Sequence, residues 1–132
     1  MKQHLMDIWR RRFPEPLIAA FDSVPRELFV LPANAHDAYG DFPLPILYGQ
    51  TISQPSTVML MINALALCLD YKVLEVGAGS GYCAAIMSRL CREVVATDII
   101  SGLVVYARQN LKKAGVTNVK VLHADGRSES VV

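Results

Sequence analysis

Val73 to Tyr82 reads V-L-E-V-G-A-G-S-G-Y, an apolar run with one acidic residue that gives way to three glycines spaced G-x-G-x-G. A run rich in Val and Leu is the pattern of a strand buried on both faces of a parallel sheet. Alternating glycines straight after it permit sharp turns at positive φ and let a ligand approach backbone that a Cβ would screen. The next stretch, Tyr82 to Arg92, carries Ala84, Ala85, Ile86, Met87 and Leu90 and reads as a helix. The glycines therefore fall between the carboxyl end of a strand and the amino end of a helix, where open α/β sheets bind nucleotide-like ligands.

Two further strands follow at the spacing such a sheet needs. Glu93 to Ile99 ends in Asp98, about 20 residues beyond the glycines, the distance expected for a carboxylate that accepts from ribose hydroxyls. Val119 to Ala124 is again strand-like and runs into Asp125-Gly126. Either aspartate alone reads equally well as a turn former or helix cap. At successive strand ends the pair points to ligand binding. The glycine spacing differs from the G-x-G-x-x-G of dinucleotide-binding loops, because its third glycine comes one residue early. With Glu75 two residues ahead of Gly77, the pattern E-x-G-x-G-x-G resembles the first motif of S-adenosylmethionine-dependent methyltransferases. That resemblance implies that Glu75, Gly77, Gly79, Ser80 and Gly81 form a cofactor loop. It also implies a ribose carboxylate at Asp98 and an adenine contact at Asp125 and Gly126.

Composition sets the outer limits. The 132 residues fit one domain, and a 52% hydrophobic content is ample for a packed core. A net charge of +1 gives no electrostatic reason to expect nucleic acid or a membrane surface as partner. Arg10-Arg11-Arg12 and Lys112-Lys113 read as solvated helix faces. The three cysteines, Cys68, Cys83 and Cys91, form no C-x-x-C pair, which suits buried thiols in a reducing, cytoplasmic setting rather than a disulfide framework or zinc site. The three histidines match no metal-ligand spacing, so no metal is expected. No apolar run is long enough to cross a bilayer, and charges interrupt the start where a signal peptide needs its apolar stretch.

Punctuation predicts the remaining organisation. Helical spacing covers His4 to Phe13 and Pro16 to Val24, and an irregular arm from Pro25 to Gln54 holds four prolines and two glycines. Its many apolar residues argue against disorder. Ser56 to Leu69, opened by Pro55, and Ser101 to Ala114, closed by Gly115, read as further helices. Residues 1–54 thus read as helices and an irregular arm, which the methyltransferase resemblance places on the substrate side, and the same resemblance makes 55–132 the cofactor-binding half. Right-handed crossovers set the three strands side by side in the order 3-2-1.

Within the arm, V-P-R-E-L-F-V from Val24, A-Y-G-D-F-P-L-P-I from Ala38 and G-Q-T-I-S-Q-P from Gly49 precede E-V-G-A-G-S-G-Y. Together they resemble the protein-L-isoaspartate (D-aspartate) O-methyltransferase family over about Ile18 to Gly126. The resemblance implies a Rossmann-like α/β methyltransferase fold with S-adenosyl-L-methionine as cofactor. The implied partners are damaged proteins or peptides containing isoaspartyl residues, and Thr51 and Ser53 correspond to hydroxyls near the reacting centre. A local alternative for Ser53 is capping of the helix after Pro55. Tyr39 and Asp41 are equally well explained as packing and turn residues.

The reaction implied would methylate a carboxylate that is already ionised at neutral pH, so no general base, metal or covalent nucleophile is required. The family continues beyond the point where this sequence stops, with a fourth strand expected beside the first. The chain therefore reads as a C-terminally truncated member whose first strand is an exposed edge open to self-association. Three function classes follow: an active isoaspartyl methyltransferase, a non-catalytic cofactor-binding fragment, and a methyltransferase for another substrate. The G-Q-T-I-S-Q-P arm argues against the last.

Overall fold

In the computed structural model, which describes residues 1–127, the chain opens with α1 (Lys2–Trp9) and α2 (Glu15–Ser23). Leu5, Met6 and Trp9 form the buried stripe of α1, and Leu17, Ile18, Ala20 and Phe21 that of α2. Trp9 meets Phe21 edge-on at 4.8 Å between ring centres, a geometry that aromatic quadrupoles favour. α1 stops at Trp9, short of the expected Phe13, a turn over residues 10–12 follows, and Pro14 stands at the amino end of α2 rather than closing the first helix.

The arm is more ordered than its prolines suggest. Single helical turns at Arg26–Phe29 and Pro32–Asp37 lead into a hairpin of β1 (Leu44–Pro45) and β2 (Thr51–Ile52), with Leu44 opposite Ile52. The reversal is made by Tyr48 and Gly49, at φ 60 and 67. Tyr48 lies so close to Gly102 that a Cβ there would collide with the Tyr48 hydroxyl. Strands of two residues carry almost no periodicity, which is why the sequence shows only an irregular segment.

Next, α3 (Pro55–Leu65) starts with proline at its first position and stops at Ala66, which adopts the left-handed conformation with φ 48. It is shorter than the predicted Ser56 to Leu69, because that reversal turns Leu67 to Leu69 out of the helix. Asp41, reaching from the arm, caps its amino end: the Ser56 backbone N–H and hydroxyl donate to the two carboxylate oxygens at 2.9 and 2.6 Å. Ser53 therefore has no capping duty.

The rest is β3 (Lys72–Val76), α4 (Tyr82–Met87), β4 (Glu93–Asp98), α5 (Ser101–Lys113) and β5 (Val119–His123). The strands are parallel in the order β3-β4-β5, as the crossover rule requires. Here α4 is only half of its predicted length. The last five residues of the cofactor-binding half lie outside the described residues.

Register puts Val73, Val94, Ala96, Val119 and Val121 on one face of the sheet, where they pack into the core with Leu103, Ala107 and Leu111 of α5. On the opposite face Leu74 is 41% exposed and Val76 64% exposed, with Leu122 also exposed. The expectation of a first strand buried on both faces is therefore corrected. β3 is an edge strand among the described residues, and no described helix covers its second face. Cys68 is exposed, against the expectation of buried thiols, because it follows the early end of α3.

Candidate functional site

The glycine loop is shaped by backbone bonds to the neighbouring strand. The N–H groups of Gly77 and Ala78 both donate to the Thr97 carbonyl at 2.8 Å, and the Gly79 N–H donates to Asp98 Oδ2 at 3.1 Å. Gly77, Gly79 and Gly81 have φ of 91, 54 and 90, where an L side chain is strained. Their surroundings separate their roles. Nothing lies within 4 Å of where a Cβ on Gly77 would sit, so this is open ligand space. A Cβ on Gly79 would face Ile46 Cδ1 of the hairpin at 3.7 Å. Gly81 is turned from both cavities towards Leu111 of α5, and lets α4 and α5 approach each other. Ser80 is buried, lines the cavity beside β3, and its carbonyl accepts from Asn110 Nδ2 at 3.0 Å.

Two cavities meet at Val76 and Gly77. The first, about 370 Å³, is lined by Thr51, Ser53, Glu75, Gly77, Gly79 and Ser80, with apolar walls from α3. The second, about 360 Å³, is lined by Gly77, Asp98, Asp125 and Gly126 among others. Every candidate residue except Gly81 thus lines one or other of these two adjoining cavities. A ligand with two chemically distinct ends, bent over an open glycine, fits this arrangement.

From β2 into the residue after it, Thr51 is exposed, Ile52 buried and Ser53 exposed, so both hydroxyl residues line the first cavity while Ile52 anchors the strand in the core. Behind them lies Arg26, wholly buried and with no carboxylate partner among the described residues. Its Nη2 donates to the Ser53 carbonyl at 3.0 Å, its Nε donates to the Ala38 carbonyl, and its guanidinium stacks 4.9 Å over the Tyr82 ring. Arg26 therefore ties the hydroxyl-bearing segment to the first residue of α4. Tyr39 belongs to the same packing: its hydroxyl accepts from the Arg26 N–H at 3.0 Å and donates to Glu27 at 2.6 Å.

The acidic residues differ in environment. Asp98 is buried and accepts from the N–H groups of Gly79 and Ile100 at 3.1 and 3.0 Å, so it anchors the loop and still has lone pairs free. Asp125 is exposed and gripped by Arg127, whose Nη2 donates at 2.7 Å and which holds the carboxyl down to about 2. A base amine reaching Asp125 would share it with that guanidinium. Gly126 packs closely, since a Cβ would come within 2.6 Å of the Val76 side chain. Glu75 faces the first cavity with one carboxyl oxygen buried and unpartnered. Burial drives its pKa up to about 7, the Cys83 thiol pulls it back down, and the charge of Asp98 adds a further rise.

A family model described as protein-L-isoaspartate(D-aspartate) O-methyltransferase matches residues 2–129. The chain belongs to that family. Among its relatives, a protein-L-isoaspartate O-methyltransferase of Methanoregula boonei is 48% identical over 110 residues, covering 83% of this chain and 51% of that protein. One from Photorhabdus laumondii is 48% identical over 112 residues, 85% of this chain and 54% of that protein. The chain spans about half the length of these curated relatives. A solved protein-L-isoaspartate O-methyltransferase superposes with a TM-score of 0.83 at 30% identity, over 96% of this chain and 43% of that one. A Plasmodium falciparum structure described as a complex with S-adenosyl-L-homocysteine gives 0.78 at 23% identity, over 92% and 62%, a likeness of fold.

The isoaspartyl methyltransferase fold explains why the arm and glycine loop share one cleft. Sequence reasoning missed Arg26 and Cys83. The arginine's only signal was a charge inside an apolar stretch, and Cys83 became meaningful once α4 set it against Glu75.

Proposed function

We propose that this chain binds S-adenosyl-L-methionine across Gly77 and methylates the carboxylate of L-isoaspartyl or D-aspartyl residues in damaged proteins. The observation that carries the reading is a pair of adjoining cavities that share Val76 and Gly77, one lined by Thr51, Ser53 and the glycine loop, the other by Asp98 and Asp125. The residues suit the cofactor: an open cradle at Gly77, an orphaned carboxyl oxygen on Glu75, and free lone pairs on Asp98. When bound, the cofactor supplies an electrophilic methyl group on a sulfonium. Glu75, Gly77, Gly79 and Ser80 hold its amino-acid end, while Asp98, Asp125 and Gly126 receive the adenosine. Gly81 contributes by packing the loop on α5.

Thr51 and Ser53 donate to the substrate carboxylate and orient one oxygen for in-line attack, and the apolar wall of α3 limits water around it. The substrate carboxylate is its own nucleophile at neutral pH. Three free cysteines support a reducing, cytoplasmic setting. The edge of β3, unpaired among the described residues and beside the first cavity, favours a second reading, in which the chain binds cofactor alone and transfers methyl groups only after a second copy pairs with that edge.

The test is methyl transfer to an isoaspartyl peptide and its aspartyl twin, with mass in solution measured on the same samples. Transfer to the isoaspartyl peptide only is expected. Equal transfer to both peptides would overturn the repair assignment, and cofactor binding without transfer in a monomer selects the second reading.

A further inference from the structure

Glu75 is an acidic side chain on the sheet with one oxygen sealed from solvent and unpartnered. It joins no ion pair among the described residues, and no Lys, Arg or His lines the cavity it faces. Across that cavity α3 presents only apolar side chains, Val58, Met61, Ile62 and Leu65, and the hairpin presents the neutral hydroxyls of Thr51 and Ser53. α4 brings the Cys83 thiol, itself pushed well above its usual range by burial and by Glu75, and β4 brings the negative charge of Asp98. Arg26 is engaged elsewhere, on the carbonyls of Ala38 and Ser53 and the face of Tyr82. An isolated carboxylate in such a place is costly, so the free chain favours the neutral acid.

We propose that Glu75 is the proton-exchanging partner of the cofactor's α-ammonium group, carrying a proton part of the time in the empty site and ionised once that cation enters. The exchange balances simply: a protonated carboxyl and a cationic ligand become a carboxylate–ammonium pair, and the proton leaves to solvent. Binding is thereby coupled to proton release. The coupling gives the cleft a preference for ligands that bring a positive charge to the β3 side, because a neutral or anionic end leaves the carboxyl protonated. This inference rests on the cofactor reading above and adds the charge state of the site.

The experiment is calorimetric titration of the full chain with S-adenosyl-L-homocysteine, which has the ammonium but no sulfonium, in phosphate and in Tris at several pH values. With Glu75 titrating at about 7, about half a proton is released per ligand at pH 7, falling towards none by pH 8.5. Affinity is about tenfold tighter at pH 8 than at pH 6, since only about a tenth of the carboxyls are ionised at the lower pH. Glu75→Gln releases no proton and binds independently of pH, falling behind the unaltered chain least at pH 6 and most at pH 8. A purely structural role would weaken binding equally at both.

Ligand binding without proton release between pH 6 and 8 overturns the proposal. So does release that persists in Glu75→Gln, or release that occurs with S-adenosyl-L-methionine alone, which would assign the sulfonium instead. The buffer comparison on the unaltered chain decides the matter even if the variant fails to fold. No binding at any pH overturns the cofactor reading itself, and the inference with it.

Discussion

Replacing Gly81 and Gly77 separately with alanine distinguishes the glycine that shapes the fold from the one that leaves room for a ligand. Their φ values, 90 and 91, are nearly identical, so alanine at either carries similar left-handed strain, about 1–2 kcal/mol. The surroundings differ. At position 81 the new methyl would sit 3.2 and 3.3 Å from Leu111 Cγ and Cδ1 and 3.4 Å from Ala107 Cβ, whereas position 77 is open. Leu111 and Ala107 are buried between α5 and the sheet, so they cannot retreat without disturbing the core. Overpacking of this kind adds about 1–3 kcal/mol. Gly81→Ala is therefore expected to lose about 2–5 kcal/mol of stability, and Gly77→Ala only about 1–2 kcal/mol. Urea unfolding followed by the fluorescence of buried Trp9 measures both, with the slope m unchanged. Binding should show the opposite order. Folded Gly81→Ala keeps its affinity for S-adenosyl-L-homocysteine, while Gly77→Ala loses about tenfold or more, equivalent to about 1.4 kcal/mol. Equal stability losses, or weakened binding by folded Gly81→Ala, would refute the division of labour within the loop.

Three further outcomes are expected. Asp41→Ala removes the acceptor for both donors of Ser56 and should lower stability by about 0.5–2 kcal/mol, as lost helix caps do, whereas Ser53→Ala should change it by less than about 0.5 kcal/mol in the same thermal melts. Asp98→Ala should weaken cofactor binding by about 1–3 kcal/mol and also lower the unfolding midpoint, because the Gly79 and Ile100 N–H groups lose their acceptor. Unchanged affinity in calorimetry would move the ribose contact elsewhere. The Glu75 pKa is raised from 4.5 to about 7 on folding, so the folded chain holds its proton more tightly and loses stability as pH climbs from about 4.5 to 7, then levels off. Glu75→Gln should remove up to about 3 kcal/mol of that decline, and a slope identical to the unaltered chain's in urea titrations would contradict it.

The sheet and its ligand end were legible in the sequence because they rest on strong local signals. The order β3-β4-β5 needed only three apolar runs, intervening helices and the handedness of crossovers. The glycine loop, Asp98 and Asp125 stood at strand ends, and the fold brings them to two adjoining cavities. Burial was misjudged for β3 because Leu74 and Val76 look the same in sequence whether or not anything packs on them. The hairpin escaped because two-residue strands carry no period, and α3 looked too long because Ala66 gives no hint of a left-handed stop. Asp41 was read as a turn residue, but its partner Ser56 lies 15 positions away, beyond any local rule. Arg26 was likewise hidden, since its contacts with Ala38, Ser53 and Tyr82 exist only after the arm has folded onto α4.

The tip of the hairpin carries a consequence for how the sequence can vary. Tyr48 holds a backbone conformation that suits glycine or asparagine better than an aromatic residue, and its hydroxyl occupies the place where position 102 would otherwise have a side chain. The hairpin bearing Thr51 is thereby registered against the first turn of α5, just beyond Asp98. A single methyl group at position 102 would lift the tip and shift the hydroxyls relative to the ribose end. Positions 48 and 102 are thus a lock-and-notch pair, free to drift in sequence only together.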